Sequence, residues 1–346
     1  MGFDRLIKKT YTNKLFTTPS HSQNFCIFNK FRHFYKLDVS ETDTHNPEQM
    51  LQEAEIQASN IYGVKQTKFL TNGSSSGIIA AVLATTNKND SVLIAHNAHQ
   101  SHLNAVKLAC GKPIFYELKK NNFGTDSAFP VEKTELMLKN RNIKALIITS
   151  PTYEGYISDI KEIKEICKKY GTYLIVDEAH GALYPFSEDL PDSAIKYADL
   201  VVQSLHKTAG GLNPTALLHS NCDVDISRAL AMITTTSPSY PLLLSIEKNI
   251  KYLSSAKGRN ELRKLISNLK VLRKLQGFEF GSDDITKILI KKEGLSGQEI
   301  SEKLYKLGIE DERTNDISTL LITGIGTKKG KLDALKFALK KIYKMN

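Results

Sequence analysis

Cysteine is scarce in this sequence, and its placement excludes two classes of structure. Cys26, Cys110, Cys167 and Cys222 are the four cysteines, and no two of them form a Cys-x-x-Cys pair. This wide spacing argues against a zinc site and against a disulfide framework. We therefore expect no metal ion, and we expect thiols that are reduced and mostly buried.

Long apolar runs are also missing. No run approaches the roughly 20 apolar residues that a bilayer-spanning helix needs. The first nine residues, Met1 to Lys9, hold no apolar segment of signal-peptide length. The sequence also has no internal repeat and no low-complexity segment. We therefore expect a cytoplasmic protein that makes no membrane contact.

The charge of the chain is positive but spread out. There are 47 Lys and Arg against 37 Asp and Glu, for a formal net charge of +10. The lysines lie in many segments, such as 161–169 and 328–341, and form neither a basic arm nor a patch interleaved with aromatic residues. This distribution favours a lysine-rich solvated surface, and we expect no nucleic-acid partner.

The length of 346 residues allows two domains, or one large α/β domain with an appendage. Residues 1–60 are polar and irregular, and they are predicted to form an N-terminal arm with one helix, Pro47–Tyr62, capped by Asn46. Residues 61–240 are predicted as a large domain and 241–276 as a helical connection. Residues 277–346 are predicted as a small C-terminal α/β domain.

Residues 61–240 alternate short apolar runs with helix-length segments such as Gly77–Thr85, Ser101–Ala109 and Ile160–Tyr170. This alternation predicts a mostly parallel, seven-stranded sheet covered by helices on both faces. The predicted strands are Lys68–Leu70, Val92–Ala95, Pro113–Tyr116, Ala145–Thr149, Tyr173–Val176, Leu200–Gln203 and Ala216–His219.

The C-terminal part has a different pattern. A long lysine-rich amphipathic stretch, Leu242–Gln276, is predicted to be helical. It is followed by two predicted strands that alternate with two predicted helices. These four segments are Lys287–Ile290, Gly297–Leu307, Thr319–Thr323 and Gly330–Tyr343.

Polar motifs follow the strands of the large sheet, at the edge where ligands bind in such folds. Asn72–Gly77 follows the first strand and opens a helix, so its backbone N–H groups and hydroxyls favour an anion such as a phosphate. A plain N-cap in a polar turn is the alternative. The run lacks Gly-Lys-Ser/Thr, which argues against a nucleotide P-loop.

Two further motifs end neighbouring strands. His99 follows Val92–Ala95, where a neutral imidazole could stack on a flat heteroaromatic ring or be hydrogen-bonded within a loop. Asp177 ends an apolar strand, where burying a carboxylate is costly without a positive partner. A protonated ring nitrogen would be such a partner, whereas an N-cap role is the alternative. His180 is predicted to face the same cleft.

The stretch Ser204–Thr208 holds the candidate nucleophile. Lys207 follows the apolar run Leu200–Val202 and precedes Ala209–Gly211, where the backbone can turn tightly. A lysine beside a histidine is by itself typical of a surface. A phosphate cradle, a stacking imidazole, a strand-end aspartate and a strand-end lysine on successive βα units together indicate pyridoxal phosphate (PLP).

The chain resembles the Orn/Lys/Arg decarboxylase family of PLP-dependent, fold type I (aspartate-aminotransferase-like) enzymes. The likeness runs from about Asp38 to Tyr240 and continues more weakly to Tyr343. Its motifs are Asp38-Val-Ser-Glu-Thr-Asp, His45-Asn-Pro47, Asn72-Gly-Ser-Ser-Ser-Gly77, Asn97-Ala-His-Gln-Ser101, Thr149-Ser-Pro-Thr-Tyr-Glu-Gly155, Val176-Asp-Glu-Ala-His-Gly181, Gln203-Ser-Leu-His-Lys-Thr208 and Thr234-Thr-Thr-Ser-Pro-Ser-Tyr240.

The resemblance implies a role for each candidate. Lys207 would form the Schiff base with PLP, Asp177 would meet the pyridinium nitrogen, His99 would stack on the ring and His180 would flank it. Thr235 would reach the phosphate in the neighbouring subunit of a homodimer. The residues that would hold the phosphate within one subunit are Ser74, Ser75, Ser76, Ser204 and His206.

Three departures from the family pattern leave the substrate open. Where the family motif is similar to Thr-Pro-Gly-His-Lys, this chain has Thr18-Pro-Ser-His-Ser22. After the lysine, the family usually has larger residues and a Thr-Gln pair, whereas this chain has Ala209–Pro214. Family members also usually carry a further C-terminal domain, whereas this chain stops at Asn346.

The expected activity is decarboxylation of lysine, ornithine or arginine. Arg313 is the one arginine in residues 277–346, so the carboxylate clamp of fold type I aminotransferases is not evident, which favours a decarboxylase. The alternatives are another PLP reaction, namely transamination, acyl transfer or lyase chemistry, and a non-catalytic partner subunit.

Overall fold

The computed structural model describes Phe3, Lys8 and residues 32–39, 49–139 and 141–344. Asn46 and Pro47, the predicted cap and start of the first long helix, lie outside these residues, as does the Thr18–Ser22 motif. The helix itself is described from Gln49 to Tyr62, after a short helix Arg32–Leu37.

A seven-stranded sheet forms the centre of the molecule, as the alternating pattern predicts. Its strand order is β1-β7-β6-β5-β4-β2-β3, and β7 alone runs antiparallel to its neighbours. The strands are β1 Gln66–Leu70, β2 Ser91–Ala95, β3 Lys112–Tyr116, β4 Ile143–Thr149, β5 Tyr173–Asp177, β6 Leu200–Ser204 and β7 Ala216–Ser220.

Helices cover both faces of this sheet. The helices and helical turns that follow the strands are Gly73–Thr85, Gln100–Leu108, Val131–Leu138, Ile160–Lys169, Tyr184–Phe186, Ala194–Lys196, Leu205–Ala209 and Ile226–Ala231. Alternate residues of each strand enter separate cores, so that Ile94 and Ile147 face one layer whereas Leu93 and Ile148 face the other. This two-sided burial explains why the strands read as continuous apolar runs.

The helix Gly73–Thr85 lies unusually close to the sheet. A Cβ atom on Gly77 would come within 2.7 Å of Leu70 Cδ1 and 2.9 Å of Val202 Cγ1. Glycine at this position therefore lets the helix start approach the strand ends, where the candidate phosphate site was predicted.

Residues 240–272 form two helices, Tyr240–Ser254 and Ala256–Leu272, in place of the single predicted stretch. Ser255 is extended (ψ 157°) and its side chain caps the second helix by accepting from the Gly258 N–H. A second sheet follows, with the order β10-β11-β9-β8 and all its pairs antiparallel. Its elements are β8 Glu279–Gly281, β9 Lys287–Lys291, helix Gly297–Lys306, β10 Arg313–Thr314, β11 Thr319–Ile322 and helix Lys329–Lys344.

Sequence patterns did not reveal β8 and β10, which have only three and two residues. The domain boundaries drawn from the sequence stay a prediction, although the two sheets fall on either side of residues 240–272. Among the described helices, none has both the length and the apolar character needed to cross a bilayer.

Candidate active site

A cavity of about 680 Å³ opens at the carboxyl ends of the parallel strands. Its wall includes the segment 72–75 after β1, the segment 97–99 after β2, Asp177 at the end of β5, and His206 and Lys207 after β6. Because the chain turns from strand to helix at this edge, side chains that are distant in sequence meet there. Arg313 reaches the same wall from the small sheet.

Asp177 is the last residue of β5 and is buried. Its Oδ2 atom accepts a hydrogen bond from His102 Nε2 at 2.9 Å, and its Oδ1 atom accepts from the Ala179 N–H at 3.1 Å. Burial raises the pKa of Asp177, but His102, the Lys207 charge and the Ala179 N–H together outweigh burial and leave this pKa below its usual value. Asp177 is therefore held as a carboxylate at the cavity wall.

Lys207 lies in the wide helical turn Leu205–Ala209 that follows β6. Its Nζ atom is 3.1 Å from Nε2 of His180. Burial lowers the pKa of Lys207, against the opposing charge of Asp177. A lowered pKa increases the fraction of neutral amine, which is the nucleophilic form of lysine.

His180 is buried between two lysines. Its Nε2 atom faces Lys207, and its Nδ1 atom lies 2.5 Å from Nζ of Lys287, which is in β9 of the small sheet. The edge of the ring packs against Tyr153, with centroids 4.9 Å apart. Burial and the two neighbouring lysines hold the pKa of His180 well below its usual value, so the ring is neutral.

His99 and His206 also line the cavity. His99 is the N-cap of the helix Gln100–Leu108, and its Nδ1 atom accepts from the Ser101 N–H at 3.2 Å. His206 Nδ1 lies 3.2 Å from the carbonyl oxygen of Thr215. In both histidines, one ring nitrogen contacts the nearby main chain while the ring itself lines the cavity. The two alternatives for His99, a hydrogen bond within the loop and a position facing a ligand, are therefore compatible.

The serines of the first motif separate into two groups. Ser74 and Ser75 line the cavity, whereas Ser76 is buried and its hydroxyl donates to the Gly73 carbonyl at 2.7 Å. Asn72 makes no side-chain cap bond to the helix that follows, so the first-turn N–H groups have no side-chain acceptor from their N-cap. This leaves an anion-binding helix start at the cavity wall.

Besides Ser76, two predicted residues are not brought to the cavity wall. Ser204 is fully buried, and its hydroxyl has no hydrogen-bond partner among the described residues. Thr235 is exposed, and its Oγ1 atom accepts from the Ser237 N–H at 3.1 Å. The role predicted for Thr235 involves a second subunit and stays a prediction.

Sequence reasoning missed His102 and Lys287, which contact the two predicted residues Asp177 and His180. His102 follows His99 by three residues on one helix, a spacing that puts both at the same end of the helix. Lys287 opens a strand whose next three residues are apolar, and it is fully buried. A buried lysine needs a polar partner, so its position at the start of an apolar strand could have marked Lys287 as a candidate site residue.

The cavity mouth is also polar. Asp126 Oδ1 is 2.8 Å from Lys120 Nζ, and Glu154 Oε1 is 3.6 Å from an Arg313 guanidinium nitrogen. The Arg313 guanidinium also lies over the Tyr153 ring, 5.4 Å from its centroid. Burial raises the pKa of Glu154, and Arg313 opposes this shift.

Comparison with known sequences identifies similar proteins. The family model "Orn/Lys/Arg decarboxylase, major domain" matches residues 12–289. An arginine decarboxylase of Bacillus subtilis (strain 168) is 29% identical over 361 residues, which cover 94% of this chain and 74% of that protein. An ornithine decarboxylase of Haemophilus influenzae is 25% identical over 68% of this chain and 39% of its own length.

Solved structures share the fold. The constitutive lysine decarboxylase of E. coli matches with a TM-score of 0.85 at 20% identity, covering 99% of this chain and 60% of that one. Serine palmitoyltransferase of Sphingomonas wittichii matches with a TM-score of 0.67 at 16% identity, covering 86% and 77%. The fold is therefore that of the type I PLP enzymes. The chain spans about 60% of the length of the lysine decarboxylase.

Proposed function

The chain belongs to the Orn/Lys/Arg decarboxylase family of PLP-dependent enzymes, and we propose that it decarboxylates lysine, ornithine or arginine to the amine and CO2. The observation that carries this proposal is the position of the Lys207 amine and the Asp177 carboxylate on one cavity at the strand ends. A lysine that forms a Schiff base and a partner for the ring nitrogen, such as a carboxylate, are typical of PLP sites.

The described residues fit PLP. The uncapped helix start at Asn72–Ser75 suits the phosphate, the ionised Asp177 suits a protonated ring nitrogen, and Lys207 suits the covalent link. His99 and His180 lie on the same wall, where they would stack on and flank the ring. The phosphate ligands that we propose are Ser74, Ser75 and His206, with Ser76 and Ser204 supported by the family resemblance alone.

When bound, PLP supplies an electron sink for the pair left on Cα when CO2 departs. The chain's own residues perform the remaining tasks. Asp177, oriented by His102, would supply the negative charge that a protonated ring nitrogen needs. The neutral Lys207 amine would first take up the proton that the substrate's ammonium group loses, and it would then deliver that proton to Cα in place of CO2.

The mouth of the cavity suits a basic side chain. Asp126 and Glu154 would attract an ammonium or guanidinium group, but each already lies close to a cation, Lys120 or Arg313. A basic substrate would therefore exchange partners with these residues. The opposing cations reduce the net attraction of Asp126 and Glu154 for a basic side chain.

Borohydride reduction of the PLP-loaded protein, followed by peptide mapping, tests the cofactor anchor. We expect the reduced pyridoxyl group on Lys207, and none in the variant Lys207→Ala. A label on a different lysine would contradict the site. Incubation with lysine, ornithine and arginine then tests the reaction, because the proposal requires CO2 and the amine from at least one of them.

Another PLP reaction is the second candidate, and one observation favours it. Arg313 stands on the cavity wall, where a guanidinium could bind a substrate carboxylate as in aminotransferases. The amino-acid panel separates the candidates, since CO2 and an amine without a keto acid support decarboxylation, whereas a keto acid or a condensation product would support this second function.

We also propose a homodimer in which Thr235 completes the phosphate site of the neighbouring subunit. The exposure of Thr235 supports this role. Mixing the inactive variants Lys207→Ala and Thr235→Ala tests it, because a mixed dimer would regain one intact site. Sedimentation would report the dimer directly. The proposal would be opposed if mixing restored no activity and sedimentation showed no dimer.

A further inference from the structure

Lys287 is a buried lysine that the reaction described above does not use. It is fully buried at the start of β9, and Nδ1 of His180 is the one hydrogen-bond partner of its Nζ atom among the described residues. Its main-chain carbonyl accepts from the Arg273 guanidinium at 2.7 Å, which fixes the strand start. The ammonium of a buried lysine needs an acceptor, and the ring nitrogen supplies it.

A neutral imidazole has one acceptor nitrogen and one N–H donor. An ammonium group can only donate, so the ring of His180 cannot accept from Lys287 and Lys207 at once. Lys207 lies on the wall of an open cavity, where water can serve as its partner, whereas Lys287 has only the ring. Lys287 therefore takes the Nδ1 acceptor, and the proton of the ring is left on Nε2.

Nε2–H points to Lys207 at 3.1 Å, and only a neutral amine has the lone pair that can accept this hydrogen bond. We propose that Lys287 is a positioning residue, which fixes the tautomer of His180 and thereby holds the Lys207 amine in its neutral, nucleophilic form. This inference rests on the proposed function in that Lys207 is taken as the PLP anchor.

The charged groups around Lys287, His180 and Lys207 agree with hydrogen bonds that run from Lys287 to His180 and from His180 to Lys207. Asp284, whose carboxylate accepts from Tyr184 Oη at 2.9 Å, is a buried acid on the loop before Lys287. Burial lowers the pKa of Lys287 to about 8, with Asp284 opposing the shift, so Lys287 keeps its proton at neutral pH. The other charged or titratable groups that act on Lys287, His180 or Lys207 are Glu154, Glu312, Asp177 and His206.

The pH dependence of Lys207 reactivity tests the proposal without use of catalysis. The full chain, stripped of PLP, is labelled with trace acetic anhydride over a pH range, and the Lys207 peptide is quantified against the exposed Lys112 peptide. We expect a labelling midpoint for Lys207 below the ordinary lysine value of about 10.4. In Lys287→Met the midpoint should rise by about one pH unit, which is a tenfold loss of Lys207 labelling at neutral pH.

Two controls separate this role from a structural one. Lys287→Arg keeps a donor at Nδ1 and should restore the low midpoint, and His180→Phe should raise the midpoint as Lys287→Met does. The double variant, His180→Phe with Lys287→Met, should show no further rise, because both changes break one chain of hydrogen bonds. An unchanged midpoint in Lys287→Met and His180→Phe would overturn the proposal.

A measurement on the unmutated chain covers the case in which Lys287→Met does not fold. Nitrogen-15 shifts of labelled histidine report the tautomer of His180, assigned by the loss of its signal in His180→Phe. We expect the proton on Nε2, and a proton on Nδ1 would overturn the inference. Borohydride mapping of Lys207 reports the cofactor anchor separately, so the two hypotheses fail in distinguishable ways.

Discussion

His102 donates from Nε2 to Oδ2 of Asp177 across 2.9 Å, and the other ring nitrogen, Nδ1, has no partner among the described residues. The histidine therefore serves Asp177 alone. It supplies the positive or donor group that a carboxylate buried at a strand end requires.

Replacing His102 with Phe should weaken PLP binding. Without the His102 donor, only the Lys207 charge and the Ala179 N–H oppose the effect of burial, so the pKa of the Asp177 carboxyl rises and the carboxylate is less available to a protonated ring nitrogen. We expect the Kd for PLP to rise about tenfold, equal to about 1.4 kcal/mol. A spectroscopic titration measures it, and His96→Phe, an exposed histidine outside the cavity, is the matched control with no expected change.

Asp177→Asn tests the carboxylate itself. Asparagine has nearly the same shape but no negative charge, so the variant should fold while its decarboxylation rate falls about 100-fold or more. Steady-state kinetics and circular dichroism measure the two effects. A nearly unchanged rate with a normal fold would contradict the role assigned to Asp177.

The strands and the position of the cavity were largely predictable, because apolar runs bounded by turns report burial on both faces of a sheet. Lys207, Asp177, His99 and His180 follow such runs, so topology places them on one edge. Ser76 and Ser204 share this sequence context but not the cavity wall. Local rotation within a helix turn or a strand decides which side chain faces the ligand, and strand order alone does not report it.

The partner of Lys287 could not be predicted from the sequence, for a different reason. Its contact with His180 joins residues 107 positions apart, and it requires the small sheet to dock against the large one. Sequence periodicity reports which residues are buried but not which element covers them. The end of one helix and the start of the next at Ser255 could not be predicted either, because the amphipathic pattern continues across this residue.

Gly155→Ala should destabilise the protein strongly. Gly155 has φ +97°, and an added Cβ would lie 2.2 Å from Ser282 Oγ and 2.8 Å from Lys287 Cγ. Backbone strain and overlap together should cost about 3 kcal/mol of unfolding free energy or more.

Gly171→Ala is the matched control for this change. Gly171 has φ +65° but no atom within 4 Å of the added Cβ, so only backbone strain of about 1–2 kcal/mol is expected. Urea unfolding of both variants measures the difference, and equal losses would show that the packing against β9 is loose.

Glu178 should make stability depend on pH. Burial raises its pKa to about 7, although Ala194, Ser193 and Gln203 donate hydrogen bonds to it. In the unfolded chain a Glu side chain has a pKa of about 4.3. The folded state thus binds more protons, and the stabilisation, full below about pH 4.3, is lost as pH rises through 7.

Unfolding free energies measured between pH 5 and pH 8 test this dependence. Relative to the parent chain, Glu178→Gln should be more stable at pH 8 than at pH 5, with a swing of a few kcal/mol. Substitution of the exposed Glu302 by Gln should leave the slope unchanged. Parallel curves for the parent and Glu178→Gln would contradict the assignment.

The position of Lys287 on the small sheet has a mechanical consequence. His180 and Lys207 lie just after β5 and β6 of the large sheet, and the hydrogen bond from Lys287 joins this region to the small sheet. Separation of the two sheets would break this hydrogen bond. Lys207, the proposed cofactor anchor, is therefore linked to Lys287 through His180 only while the two sheets are packed together.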